Sequence, residues 1–254
     1  MSMFSKTNVS GRLASTILAL GALAGTAHAD NWDAWLTVDN QFQVYFGTPT
    51  ATNFFAGSGA NWTTSFHFTA TNRPPTDYLY VVTSSDHSVA QGFIGVFTNT
   101  TTNTTVLTGS PVWEVFPAGQ YLQQIFGTSG PWPPMVMPTQ AEVDAAIAYA
   151  TTNNLWVTPS SVPGYDNDPS TPTTPYFYPW GSLVLPNIPN SAQWIWYDSG
   201  RDTTVPGGIA VPLKGFNHDE FLVFRVPGIA PEPTSLLLAA LGAPLLLRKR
   251  SAVA

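Results

Sequence analysis

The stretch NQFQVYF, residues 40–46, alternates its side chains one by one. Phe42, Val44 and Phe46 fall on one face and Gln41, Gln43 and Tyr45 on the other, the period of two that marks a half-buried strand. Residues 62–68 repeat the pattern with Trp62, Phe66 and Phe68. Residues 78–83 (YLYVVT) and 93–97 (FIGVF) are apolar on both faces, as strands buried from two sides are. Residues 32–38, 104–108, 112–116, 193–197 and 220–226 bring the set to about nine short strands. Gly57-Ser58-Gly59, Pro74-Pro75, a Thr/Asn run at 98–105 and Pro-rich stretches near 131–138 and 159–179 punctuate them. Short strands between such breakers predict an all-β, jelly-roll-like sandwich.

One helix is expected. Thr139 stands where it can cap an N-terminus, with Glu142 three residues on to reach back, and Ala-rich sequence runs to about Thr152 before Asn153-Asn154. It lies in a long insertion, residues 117–190, whose proline content argues against an independent core. Residues 30–228 are therefore read as one domain of about 200 residues.

The two ends read as signals. Lys6 and Arg12 precede an uncharged apolar run at 13–24, and Ala27-His28-Ala29 offers small residues on either side of a larger one. Residues 1–29 are thus a signal peptide, cleaved by signal peptidase before Asp30. At the other end, Pro231-Glu232-Pro233 is followed by a hydrophobic span and then by Arg248-Lys249-Arg250. That order resembles the PEP-CTERM sorting signal, and the resemblance covers residues 229–254 only. It implies recognition by an exosortase, a membrane-embedded cysteine protease-transpeptidase, in a Gram-negative type of envelope, together with exopolysaccharide production. The 13 residues from Ser235 to Leu247 would span roughly 20 Å as a helix. That is short of a hydrocarbon core of about 30 Å, so the membrane association should be transient. The basic triplet should stay on the cytoplasmic side, while the prolines keep the recognition strip extended. Hydrophobic helical segments are accordingly expected at both termini.

Composition narrows the function. The whole chain carries −6; the N-terminal signal holds +2 and the tail +2, which leaves the domain at about −10. Such a surface repels phosphates, so no nucleic-acid partner is expected. Charged residues are 9% of the chain, far below the roughly 25% of ordinary soluble proteins; Thr, Asn and Ser supply the polar surface instead. With no cysteine, disulfides, thiol catalysis and thiolate zinc sites are excluded.

No catalytic constellation stands out. His67, His87 and His218 lie outside any His-Glu-x-x-His spacing, and His67 reads as a surface or edge histidine. Asp86-His87-Ser88 has the residue types of a triad, but adjacent residues do not form one. Glu114 with an Asp could supply the carboxylate pair that a glycosidase needs, as chance also could. Asp166-Asn167-Asp168 clusters oxygen ligands of the kind calcium takes. It lacks the glycine and distal glutamate of a dedicated loop and reads as a solvated turn. No cofactor and no metal site are expected.

Aromatic residues remain. Nine tryptophans include candidates for stacking on pyranose faces: Trp62, Trp113, Trp132, Trp156 and Trp180. Trp132, Trp156 and Trp180 lead because they lie in the insertion, whereas Trp194 and Trp196 read as core. Residues 39–45, 192–196 and Phe224-Arg225 also resemble strand patterns of galactose-binding-like jelly-roll modules, which implies the fold more than a ligand. The expectation is a non-enzymatic surface or extracellular matrix protein with weak contact to glycan, exopolysaccharide being the expected partner. A secreted polysaccharide hydrolase and a purely structural or adhesive protein are the alternatives.

Overall fold

The computed structural model describes residues 29–86, 91–119, 121, 135–170, 180, 183–197 and 221–228. The strands are β1 (Asp30–Asp39), β2 (Gln41–Thr48), β3 (Ala51–Gly59), β4 (Phe66–Arg73), β5 (Tyr78–Ser84), β6 (Gly92–Asn99), β7 (Thr104–Leu107), β8 (Glu114–Pro117), β9 (Ser160–Asp166), β10 (Gln193–Trp196) and β11 (Leu222–Val226), with a helix, α1 (Gln140–Thr152), before β9. They form two antiparallel sheets. The first has the order β4-β1-β6-β10-β9, with β7 also on β6; the second has the order β3-β2-β5-β11-β8. The all-β sandwich is thus present, with its helix.

Asn40 is the single residue between β1 and β2, so the chain passes from the first sheet to the second there, and NQFQVYF opens the second. Trp32, Ala34, Leu36 and Val38 of β1 and Phe42, Val44 and Phe46 of β2 turn inward and pack with Leu79, Val81, Phe93, Phe97, Ile195, Leu222 and Phe224. Trp113 joins them, 1% exposed, edge-on to Phe93 and Phe97. Its indole N–H donates to the carbonyl of Leu107 at 2.9 Å, which makes burial of that polar group tolerable.

Each outer face is also covered, the first sheet's only in part, which explains why residues 78–83 and 93–97 are apolar on two sides. α1 lies against the second sheet, where Val143, Ala146, Ile147 and Ala150 meet Tyr45, Tyr80, Val82, Phe116 and Val223. Thr139 caps it as expected, with the reciprocal bond from Glu142 in place. Against the first sheet lies an aromatic cluster of Ile94, Tyr165, Trp180, Trp194 and Trp196 with Leu185 and Ile188.

Three expectations about strands are corrected. Residues 62–64 form a turn, and β4 starts at Phe66. Val112 and Trp113 stand outside β8. Two strands, β3 and β9, occupy segments read as turns. In β3 the glycines are there for close approach: a Cβ on Gly57 would fall on the Phe68 ring and one on Gly59 on the Phe42 ring. The expected terminal helices lie outside the described residues. Among those that are described, no helix is long and apolar enough to cross a membrane.

Candidate functional site

The outer face of the first sheet is covered only in part. The inward turn of Trp32, Ala34 and Leu36 leaves Asn31, Asp33, Trp35 and Thr37 of β1 pointing the other way. Register then sets their neighbours. Asp33 lies between Thr69 of β4 and Thr98 of β6, and Thr98 lies beside Thr105 of β7. One step along, Trp35 lies between His67 and Val96, with Leu107 beyond. With strands about 4.8 Å apart, the row Thr69-Asp33-Thr98-Thr105 runs about 15 Å across the sheet.

His67 and Asp33 make the centre of this face. The imidazole Nε2 lies 2.7 Å from Oδ2 of Asp33, and the two side chains are 42% and 40% exposed. The ring stacks on Trp35 at 4.4 Å and 16° between planes, so indole and carboxylate together fix the imidazole. The hydroxyls of Thr98 and Thr105 bond at 3.1 Å. Trp62 borders the face from a turn tied down by Thr37, whose hydroxyl donates to the carbonyl of Asn61 at 3.0 Å. Asn61 itself accepts from the backbone N–H of Thr63 at 3.1 Å. Trp62, Trp35 and Leu107 are partly buried against the outer aromatic cluster.

Chemically, this face offers a carboxylate, an imidazole, a flat aromatic pair and a row of hydroxyls. Such groups suit a polyol: the acceptors and hydroxyls take its O–H groups, and ring faces take its C–H faces. The described basic side chains, Arg73 and Arg225, both lie elsewhere. Arg73 faces Asp77 at 3.6 Å and stacks over Phe54 at 4.3 Å; Arg225 belongs to the second sheet.

Of the tryptophans expected to stack on sugar, Trp180, Trp156 and Trp113 are placed otherwise. Trp180 is 3% exposed, not a surface platform. Its ring lies flat on Trp194 at 4.2 Å, and its N–H donates to Asp39. Trp156 is half-buried on the second sheet, with the Arg225 guanidinium 3.8 Å from its ring centre and its N–H on Thr151 at 3.0 Å. The ring face a sugar would need is thus taken by a cation. Trp113 is core. Trp132 lies outside the described residues, as do Ala27, Pro231, Glu232, Pro233, Arg248, Lys249 and Arg250, and the histidines His87 and His218. Ala29 is exposed and Asp30 opens β1. Trp194 and Trp196 are buried, as expected, and His67 is an edge-strand histidine.

Other candidates resolve into structure. Glu114 accepts from Nε of Arg225 at 2.6 Å and is a structural ion pair. Asn167 is 2% exposed rather than solvated. Its amide donates to the carbonyls of Leu185 and Ile188 and its oxygen accepts from the N–H of Leu185, so it clamps that loop. Among the described residues no three His, Asp or Glu side chains gather to hold a metal ion.

The partnership of Asp33 with His67 was not legible beforehand, because 34 positions separate the two. The only hint was the break in β1's polar face, where Asp33 and Trp35 alternate with buried residues. Compared with protein-family models, curated proteins and solved structures, the chain matches none.

Proposed function

We propose that this chain is an exported, exosortase-processed protein of the cell surface or extracellular matrix. It contacts extracellular glycan without catalysis, through the outer face of its first sheet. The observation that carries the glycan reading is the Asp33-His67-Trp35 constellation, partly exposed within a row of threonine hydroxyls. The tail motif carries the sorting reading. Two placements support it: β1 begins at Asp30, directly after the proposed cleavage site, and β11 ends at Val226, five residues before Pro231. Both signals can therefore be removed without cutting a described strand. We read the sandwich as jelly-roll-like, in keeping with its two antiparallel sheets.

The test is a titration of the secreted chain, with and without calcium, against a panel of exopolysaccharides while tryptophan emission is followed. Saturable binding that weakens at least tenfold in His67→Ala, and is unchanged in Trp156→Phe, is the expected result. No binding to any polymer would leave a structural or adhesive role as the better reading.

A further inference from the structure

We infer that the Asp33-His67 face selects glycans bearing free amino groups, such as partly de-N-acetylated hexosamine polymers, over neutral and acidic ones. This rests on the glycan reading above and names the ligand class it would take. The reason is charge complementarity at a defined place. Oδ2 of Asp33 meets His67, while Oδ1 has no hydrogen-bond partner among the described residues, and the side chain is 40% exposed. A carboxylate has about four acceptor positions, so Asp33 keeps capacity for an ammonium donor.

Among the described residues, no lysine or arginine on this face offsets the Asp33 carboxylate. Its neighbours in the row are Thr69, Thr98 and Thr105, and the described Lys and Arg side chains lie outside it. The domain as a whole, at about −10, steers cations in and uronates away. The threonine hydroxyls on successive strands serve the sugar hydroxyls on either side of the ammonium group. A second copy of this chain would bring the same negative charge and is disfavoured as an occupant.

The experiment measures affinity of the full chain for three oligosaccharides of equal length: a glucosamine oligomer, its N-acetylated counterpart and a polyuronate. We expect the glucosamine oligomer to bind about tenfold tighter than the N-acetylated one and the uronate least. Asp33→Asn, which keeps the shape of the side chain, should abolish that preference. Asp168→Asn removes the same charge at the opposite edge of the sheet, beyond β9, and should leave the preference intact. Thr98→Lys should exclude the glucosamine oligomer. Equal loss in both Asn variants would mean general charge attraction and would overturn the inference. So would equal binding of the first two oligomers, with the glycan reading itself still standing. If none of the three binds and the broader polymer panel is also negative, the glycan reading fails with it.

Discussion

The indole Nε1 of Trp180 donates a 2.9 Å hydrogen bond to Oδ2 of Asp39 across 141 positions of chain. The carboxyl lies at the end of β1, where the chain leaves the first sheet, and is 6% exposed. Burial pushes its pKa up to about 7; the indole N–H holds it down somewhat, and the charge of Asp86 raises it further. The bond ties the insertion to the sandwich through a group that titrates near neutrality.

Asp39 therefore makes stability depend on pH, with a definite sign. In the unfolded chain it ionises near 3.8 and in the folded chain near 7, so the native state holds a proton that the unfolded state releases. The stabilisation is fully present below about pH 4 and is lost as pH rises through about 7. Asp39→Asn, which cannot ionise yet still offers an oxygen to the indole, should gain roughly 1–3 kcal/mol over the parent at pH 8 and less at pH 5. Thermal unfolding of both proteins at the two pH values is the measurement. A gain that is the same at both would show that Asp39 titrates normally.

Gly92 makes the stacking of Trp180 on Trp194 possible. A Cβ there would lie 2.6 and 2.8 Å from two ring carbons of Trp180. The ring is held between Trp194 and its bond to Asp39, so it has little room to move away. Gly92→Ala should cost about 1–3 kcal/mol and reduce the near-ultraviolet circular dichroism of the indole pair. Urea unfolding gives the first quantity. An unchanged midpoint would mean that the ring shifts freely.

Arg225 is a half-hidden cation on the outer face of the second sheet. Its guanidinium donates to Glu114 at 2.6 Å and to the hydroxyl of Thr151 at 3.2 Å, and lies over Trp156 and Tyr78. Its side chain is 10% exposed and that of Glu114 is 36% exposed, so water screens the pair from one side only. Glu114→Gln should cost roughly 1–2 kcal/mol, because it leaves the cation without its counter-charge. Adding Arg225→Met should restore part of the loss, since the buried charge then goes too. A double variant less stable than the sum of the two single variants would contradict this account.

Much of the sandwich was legible in particular residues. The alternation of Phe42, Val44 and Phe46 against Gln41 and Gln43 identified β2 and its inward face. Thr139 with Glu142 located the start of α1 to the residue. These succeed because strand alternation and helix capping are local rules, set by backbone geometry over a few residues. β3 escaped because its glycines resemble turn punctuation, and only the rings of Phe68 and Phe42 arriving from other segments give them a different purpose. β9 escaped for a related reason: its pairing with Gln193 and Ile195 of β10 is what makes a Pro-containing segment a strand.

By itself, then, the sequence determined the all-β class, the inward faces of its main strands, the capped helix and the low, acidic charge of the domain. Tertiary structure alone decided which outer faces are covered. Trp180 and Trp35 are both tryptophans between small or apolar neighbours, Pro179 and Gly181 for the first and Ala34 and Leu36 for the second. The first is buried because Trp194 and Asp39 converge on it; the second borders an exposed face because its cross-strand partner is His67, bonded to Asp33. Side-chain periodicity tells a residue which way it points, but the neighbour that meets it there comes from 34 or 141 positions away, and only the folded chain brings that neighbour into contact.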